Sequence, residues 1–214
     1  MRPEDAALAA RLGHVYWIGG GSGAGKSTIT RRLAAQRGLS VYAVDAEMAR
    51  LAGRSTPQDA PFLNEFKSMS FDERWVNRSP QTMLETFHWF RGEAFSLIIE
   101  DLLCLPAHPG VIAEGFQLLP HLVQPQLASP DHAVWLLPTP EFRRAAFVSR
   151  GSLWEIPGKT SDPERALRNL LERDRMFTDR LRQEVRRLGL PALEISSAMS
   201  EEYLAGRVRR MLGL

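Results

Sequence analysis

The sequence predicts an α/β fold layered around a parallel sheet. Five short apolar and β-branched runs, at residues 14–18, 41–44, 111–113, 133–137 and 192–195, alternate with stretches of helical spacing. Four of these runs end at a residue that stops a strand or carries chemistry: Gly19, Asp45, Glu114 and Pro138. The chain of 214 residues is 44% apolar and 24% charged. That is a globular composition, and a chain of this length buries about 70% of its unfolded surface without needing a disulfide or metal staple.

Taken in order, residues 2–12 have the composition of a short helix ended by Gly13. Residues 14–18 (His-Val-Tyr-Trp-Ile) read as a buried strand, and residues 19–25 are so rich in glycine that they must form a loop. Ile29 and Leu33 at i, i+4 predict a helix over 27–37, with Gly38 as its left-handed stop. After the second strand the interval 46–109 is too long for a simple crossover, and two or three helices are expected there as an insertion beside the site. One of them is predicted as a continuous helix over 79–105, where Met83, Phe87, Phe90, Ala94, Leu97, Ile98 and Leu102 recur at helical spacing. Asp162-Pro163 is a cap followed by proline at the first helical position, so a long helix is expected from there to Leu188, stopped by Gly189. With no internal repeat and no linker, residues 1–214 are expected to be one domain, with 143–162 as a lid region.

Charge and cysteine content narrow the function classes. There are 27 basic and 25 acidic residues, a formal net charge of +2, and the two signs are interleaved nearly everywhere. A nucleic-acid binder concentrates its charge on one face, so a nucleic-acid partner is not expected. No run is long and apolar enough to cross a membrane. The N-terminus mixes Arg2, Glu4, Asp5 and Arg11 with alanines, unlike the apolar core of a secretory signal. The single cysteine, Cys104, fits a reducing compartment, and a cytoplasmic location is expected. Its place in the apolar run 102–105 predicts a buried, inert thiol. The histidines His14, His88, His108, His121 and His132 show no metal-ligand spacing.

The chemistry is signalled by Gly20-Gly21-Ser22-Gly23-Ala24-Gly25-Lys26-Ser27, which matches G-x-x-x-x-G-K-[ST] between a strand and a helix. Glycines let the backbone curl so that successive N–H groups face phosphate oxygens, and the helix N-terminus adds its positive end. Residues 20–27 together with Thr28 are therefore the candidate nucleotide-binding set. In such a loop Lys26 bridges the β- and γ-phosphates and the Ser27 hydroxyl ligates Mg²⁺. The guanine-reading motif N-K-x-D is absent, and the third strand ends Ala113-Glu114-Gly115 with one acid rather than the adjacent D-E of ring ATPases.

The phosphate loop, Asp45 and residues 111–115 together resemble the P-loop small-molecule kinases. That group takes in nucleoside and nucleotide kinases, shikimate and gluconate kinases, chloramphenicol phosphotransferase and zeta-toxin-like kinases. The resemblance implies a three-layer P-loop NTPase fold with a five-stranded parallel sheet and a helical insertion on the acceptor side. It also implies ATP and Mg²⁺ as the nucleotide and metal, and a small-molecule hydroxyl as the acceptor. By the resemblance Asp45 faces that hydroxyl, and a helix N-cap is the plainer reading of the same residue. Glu47 has the place of a second acid found in some members. Glu114 is implied near Mg²⁺ or the acceptor, with an N-cap or salt bridge as the alternative.

In the same group the region after the fourth strand leads to a lid whose arginines close over the phosphates, which makes Arg150 the first candidate and Arg144 the second. Trp154 is expected to fold inward beneath that lid. The long helix intersperses arginines with Glu164, Glu172, Asp174, Asp179 and Glu184, the pattern of a salt-bridged exposed face, and Arg173 or Arg175 is a candidate second lid arginine. The insertion offers Asn64, Lys67, Trp75, Asn77, Arg78, His88, Trp89, Arg91 and Glu93 as acceptor contacts, with ordinary packing as the alternative for each. For the base, residues Ser196 and Ser197 are implied by the resemblance alone. The reading is an ATP- and Mg²⁺-dependent small-molecule kinase. The alternatives are a toxin-like kinase acting on a nucleotide sugar, and a non-kinase ATP-binding switch or ATPase.

Overall fold

A computed structural model describes residues 3–214. Helix α1 (Pro3–Arg11) leads into β1 (Val15–Gly20), α2 (Lys26–Arg37) and β2 (Ser40–Ala43). The insertion follows as α3 (Val44–Arg54), α4 (Pro61–Ser68), α5 (Phe71–Trp75), α6 (Pro80–Thr86), a 3₁₀ turn (His88–Arg91) and α7 (Phe95–Cys104). The chain continues through β3 (Val111–Glu114), α8 (Pro120–Val123), β4 (Ala133–Pro138), α9 (Pro140–Ser149), α10 (Pro163–Leu188), β5 (Ala192–Ile195) and α11 (Glu201–Met211). All strand pairs are parallel, in the order β2-β3-β1-β4-β5. The α/β, three-layer, five-stranded prediction holds.

Both sheet faces are buried, and alternate residues along each strand serve opposite layers. Val15, Trp17, Val111, Ala113, Ala133, Trp135 and Leu137 face one core with Ile98 and Leu102 of α7 and Phe177, Leu181 and Val185 of α10. Ile18, Ile112, Val134, Leu136, Leu193 and Ile195 face the other with Ile29 and Leu33 of α2 and Leu204 and Val208 of α11. Gly38 and Gly189 end α2 and α10 with φ of 65° and 64°, as their positions predict. Aspartate 162 caps α10 by accepting from the Arg165 N–H. Among the described residues no helix is long and apolar enough to cross a membrane.

Several expectations are corrected. The single helix over 79–105 is two helices broken by the 3₁₀ turn, with Gly92 and Ala94 at φ 80° and 65°. Phe87, His88, Trp89 and Phe90 are consecutive, so on one helix they would point around most of its circumference. The break lets all four pack inward instead: Phe90 stacks on Phe177 at 3.7 Å between centroids, and Phe87 meets Trp75 and Phe66. The insertion consequently holds five α-helices rather than two or three. The second strand stops at Ala43, so Asp45 is not an N-cap; it lies in the first turn of α3, where the helix dipole favours an acid. Cys104 is exposed, because it is the last residue of α7 and the apolar run outlasts the helix. Trp154 is also exposed, at 49%, rather than folded inward.

Insertion and sheet are tied by charge. Asp101 on α7 accepts from Tyr42 of β2 at 2.5 Å and from Arg50 and Arg54 of α3 at 2.6 Å each. Its partial burial alone would raise its pKa, but the bonds from Arg50, Tyr42 and Arg54 hold the carboxyl down at about 2. Glu93 accepts from the Phe62 and Leu63 N–H groups, supplying the open first turn of α4 with its partners.

Candidate active site

β1 delivers the chain to Gly20 and α2 starts at Lys26, so residues 21–25 form the turn between a buried strand and a helix N-terminus. The turn is anchored to the sheet by the Gly21 N–H donating to the Leu136 carbonyl at 3.0 Å. Lys26 is 5% exposed, and its Nζ donates to the carbonyls of Gly21 (3.0 Å) and Gly20 (3.4 Å). Burial lowers its pKa, while the carboxylates of Asp45, Glu114 and Asp174 act in the opposite direction. Ser22, Gly23, Ala24, Gly25, Lys26 and Ser27 line a cavity of about 510 Å³, and Thr28 lines a neighbouring one of about 420 Å³.

Asp45 is exposed and lines the larger cavity at the phosphate-loop end. Glu114 is 2% exposed at the end of β3, level with Ile18 of β1 and Ala43 of β2. Burial raises its pKa; a hydrogen bond with the Ser27 side chain and the nearby Lys26 ammonium oppose the rise. One of its oxygens, Oε2, is buried without a partner. An orphaned carboxylate oxygen next to a serine hydroxyl is a set of hard oxygen donors of the kind Mg²⁺ takes, so Ser27 and Glu114 fit the metal that the motif implies. Glu47 is turned away to Arg50, at 2.6 Å.

The arginines separate by burial. Arg150 ends α9, is exposed, and lines both cavities. Arg144 is exposed and lines neither. Arg143, which the sequence reading passed over, is 1% exposed and donates to the Thr178 hydroxyl at 2.5 Å. Arg173, 7% exposed, lines the larger cavity, its guanidinium bonded to Asp174 at 2.6 and 2.9 Å and lying over the rings of Phe87, Phe90 and Trp75. Arg175 is taken up by Glu172 and Asp179 on the exposed face of α10, as the spacing of charges predicts.

Of the acceptor-side candidates only Trp75 and Trp89 reach the larger cavity, beside Phe87, Phe90 and Phe116. Lys67 donates to the Ala52 carbonyl, Arg78 to Met69 Sδ and the Thr82 carbonyl, and Arg91 lies over Phe62. His88 is 3% exposed within the rings of Phe66, Phe87 and Trp89 and serves packing. Asn64 and Asn77 do not line the cavity. Asn169 holds the Trp75 wall through the Trp75 and Val76 carbonyls, a contact across 94 residues that no local pattern signals. The smaller cavity runs between the phosphate loop, α9 and α11 and is lined by Glu201 and Leu204 rather than Ser196 and Ser197.

No protein-family model and no curated protein matches the chain. Among solved structures the chain is similar to that of deoxyadenosine kinase from M. mycoides with bound dATP, with 12% sequence identity and a TM-score of 0.46 over 94% of this chain and 99% of that one.

Proposed function

We propose that this chain is an ATP- and Mg²⁺-dependent phosphotransferase that moves a γ-phosphoryl group to the hydroxyl of a small molecule. The observation that carries the reading is one continuous cavity. Lys26, Ser27 and Asp45 line it together with Trp75, Phe87, Trp89 and Phe90 from the insertion and Leu167, Leu170 and Leu171 from α10. Donor and acceptor thus have adjoining places with the reacting groups between them.

Lys26 is held by two loop carbonyls, which it exchanges for phosphate oxygens when a triphosphate enters. Ser27 and Glu114 would hold Mg²⁺, whose charge offsets that of the phosphates when it is bound. Asp45 accepts the acceptor's proton as the new O–P bond forms and the bond to the β-phosphate oxygen breaks, releasing ADP. Arg150, exposed at the end of α9, adds positive charge over the transferring group; Arg144 is the second candidate. The smaller cavity, with Thr28 on its wall, has the size and place to take the nucleoside end of ATP.

Calorimetry with ATP and Mg²⁺ tests this reading. Wild-type protein binds and Lys26→Ala does not; a wild-type chain that ignores ATP, or a variant that binds it as well, removes the phosphate-loop assignment.

A further inference from the structure

The wall of the chamber specifies more than a hydroxyl. Its rings come from Trp75, Phe87, Trp89, Phe90 and Phe116, and Leu167, Leu170 and Leu171 close it from α10. Among the described residues that line it there is no Asn, Gln or His side chain. The amide of Gln117, buried and unpartnered, does not reach it. Away from the phosphate loop its polar groups are Asp45, the Arg173–Asp174 pair and, on the lid, Arg150, Ser152 and Glu155.

Each acceptor class meets this wall differently. A phosphate or carboxylate on the acceptor needs an uncommitted cation: the buried guanidinium of Arg173 is already neutralised by Asp174 at 2.6 Å, and Arg150 is taken up by the transferring phosphoryl group in the reading above. Sugar hydroxyls and nucleobase edges each lose water partners on entry, and apart from the indole N–H groups of Trp75 and Trp89 the rings and leucines return none. Flat apolar groups gain contact on several sides.

We infer that the acceptor is an uncharged alcohol carrying an aromatic or similarly flat apolar group, with its hydroxyl at Asp45 and its apolar body among Trp75, Phe87 and Trp89. This rests on the phosphotransferase reading and narrows it. Sugars, nucleotides, nucleotide sugars and acidic metabolites fall outside the class, and nucleosides are disfavoured by their base edges.

Calorimetric titration of the chain saturated with a non-hydrolysable ATP analogue reads occupancy of the chamber without any chemistry, because the nucleotide place is already filled. The full chain is titrated with 2-naphthaleneethanol, adenosine, glucose and AMP, and transfer of labelled γ-phosphate from Mg-ATP to each is measured alongside. The naphthyl alcohol is expected to bind saturably, tighter than adenosine by roughly tenfold or more, and to be phosphorylated. Leu153→Asp, on the lid loop, and Leu170→Asp, on α10, should each weaken it by roughly tenfold or more. Faster phosphorylation of adenosine, glucose or AMP than of the naphthyl alcohol, or variants without effect, overturns the acceptor class while ATP binding stands. A chain that does not bind ATP overturns the phosphotransferase reading, and the acceptor role falls with it.

Discussion

Arg143 donates from Nη2 to Thr178 Oγ1 at 2.5 Å, and the phosphate loop rests on that pair. A Cβ on Gly21 would lie 2.7 Å from Thr178 Oγ1, and one on Gly23, at φ +73°, 3.1 Å from Arg143 Cγ. α9, α10 and the loop therefore meet at one buried contact. Thr178→Val keeps the shape and removes the acceptor. The orphaned guanidinium N–H should cost about 1–3 kcal/mol, read as a lower urea midpoint with unchanged slope. ATP affinity should fall as well, since the loop loses its seat. An unchanged midpoint means that Arg143 has found another acceptor and the contact is incidental.

Asp45 tests the chemistry apart from the binding. It lies in the first turn of α3 with its carboxylate at the cavity, and its removal opens no hole in a core. Asp45→Asn should bind ATP as wild type does and lose transfer by on the order of 10²–10⁴-fold, the usual contribution of a positioned base. Normal turnover by this variant would reduce Asp45 to a residue that favours the helix N-terminus.

Arg150 at the C-terminal end of α9 and Arg144 within the helix make an internal comparison. Arg150 reaches both cavities and Arg144 neither. Arg150→Ala should lower kcat by a larger factor than it raises KM, because a mobile guanidinium gains most where charge is shared among the transferring oxygens. Arg144→Ala should change both little. Equal effects of the two substitutions on kcat would mean that the lid closes in an arrangement bringing Arg144 inward.

Elements bounded by strong local chemistry were legible in the sequence. α10 runs from the Asp162 cap to Gly189 as its pattern predicts, and β5 matches the expected run over 192–195. The turn between β1 and α2 was legible because glycines at 20, 21, 23 and 25 break any regular element there and Ile29 and Leu33 set the helix after it. The break at 87–92 was not, since four adjacent aromatics satisfy a helical pattern and an inward-packed turn equally well. Among neighbouring arginines, position along α9 says nothing about which is buried; Thr178, 35 residues on, decides that for Arg143. The acceptor wall was only partly legible for the same reason. Trp75 and Trp89 were among the candidates, but Phe116, Leu167, Leu170 and Arg173 come to them from later in the chain.

The burial of His88 makes the fold sensitive to acid. It is buried among aromatic rings, with Lys67, Arg173 and Arg74 as the charges facing it, and its Nδ1 has no partner. Desolvation first, then those three cations, lower its pKa from 6.5 to about 4. Above pH 6.5 the imidazole is neutral in folded and unfolded chains alike, and it does not alter stability. As the pH falls from 6.5 toward 4 the unfolded chain takes up a proton that the folded chain refuses, so stability is lost, by about 3 kcal/mol over the interval. Asp101, held at about 2, contributes its own loss only at lower pH, below its ordinary value of 3.8. Urea midpoints measured from pH 7 to pH 4 should therefore drop steadily in the wild type and far less in His88→Phe, which fills a ring-shaped site with a ring that does not titrate. Parallel curves for the two proteins would place the acid sensitivity elsewhere, and a variant too unstable to titrate would be replaced by His88→Gln, which keeps a polar group of similar reach and should flatten the same interval.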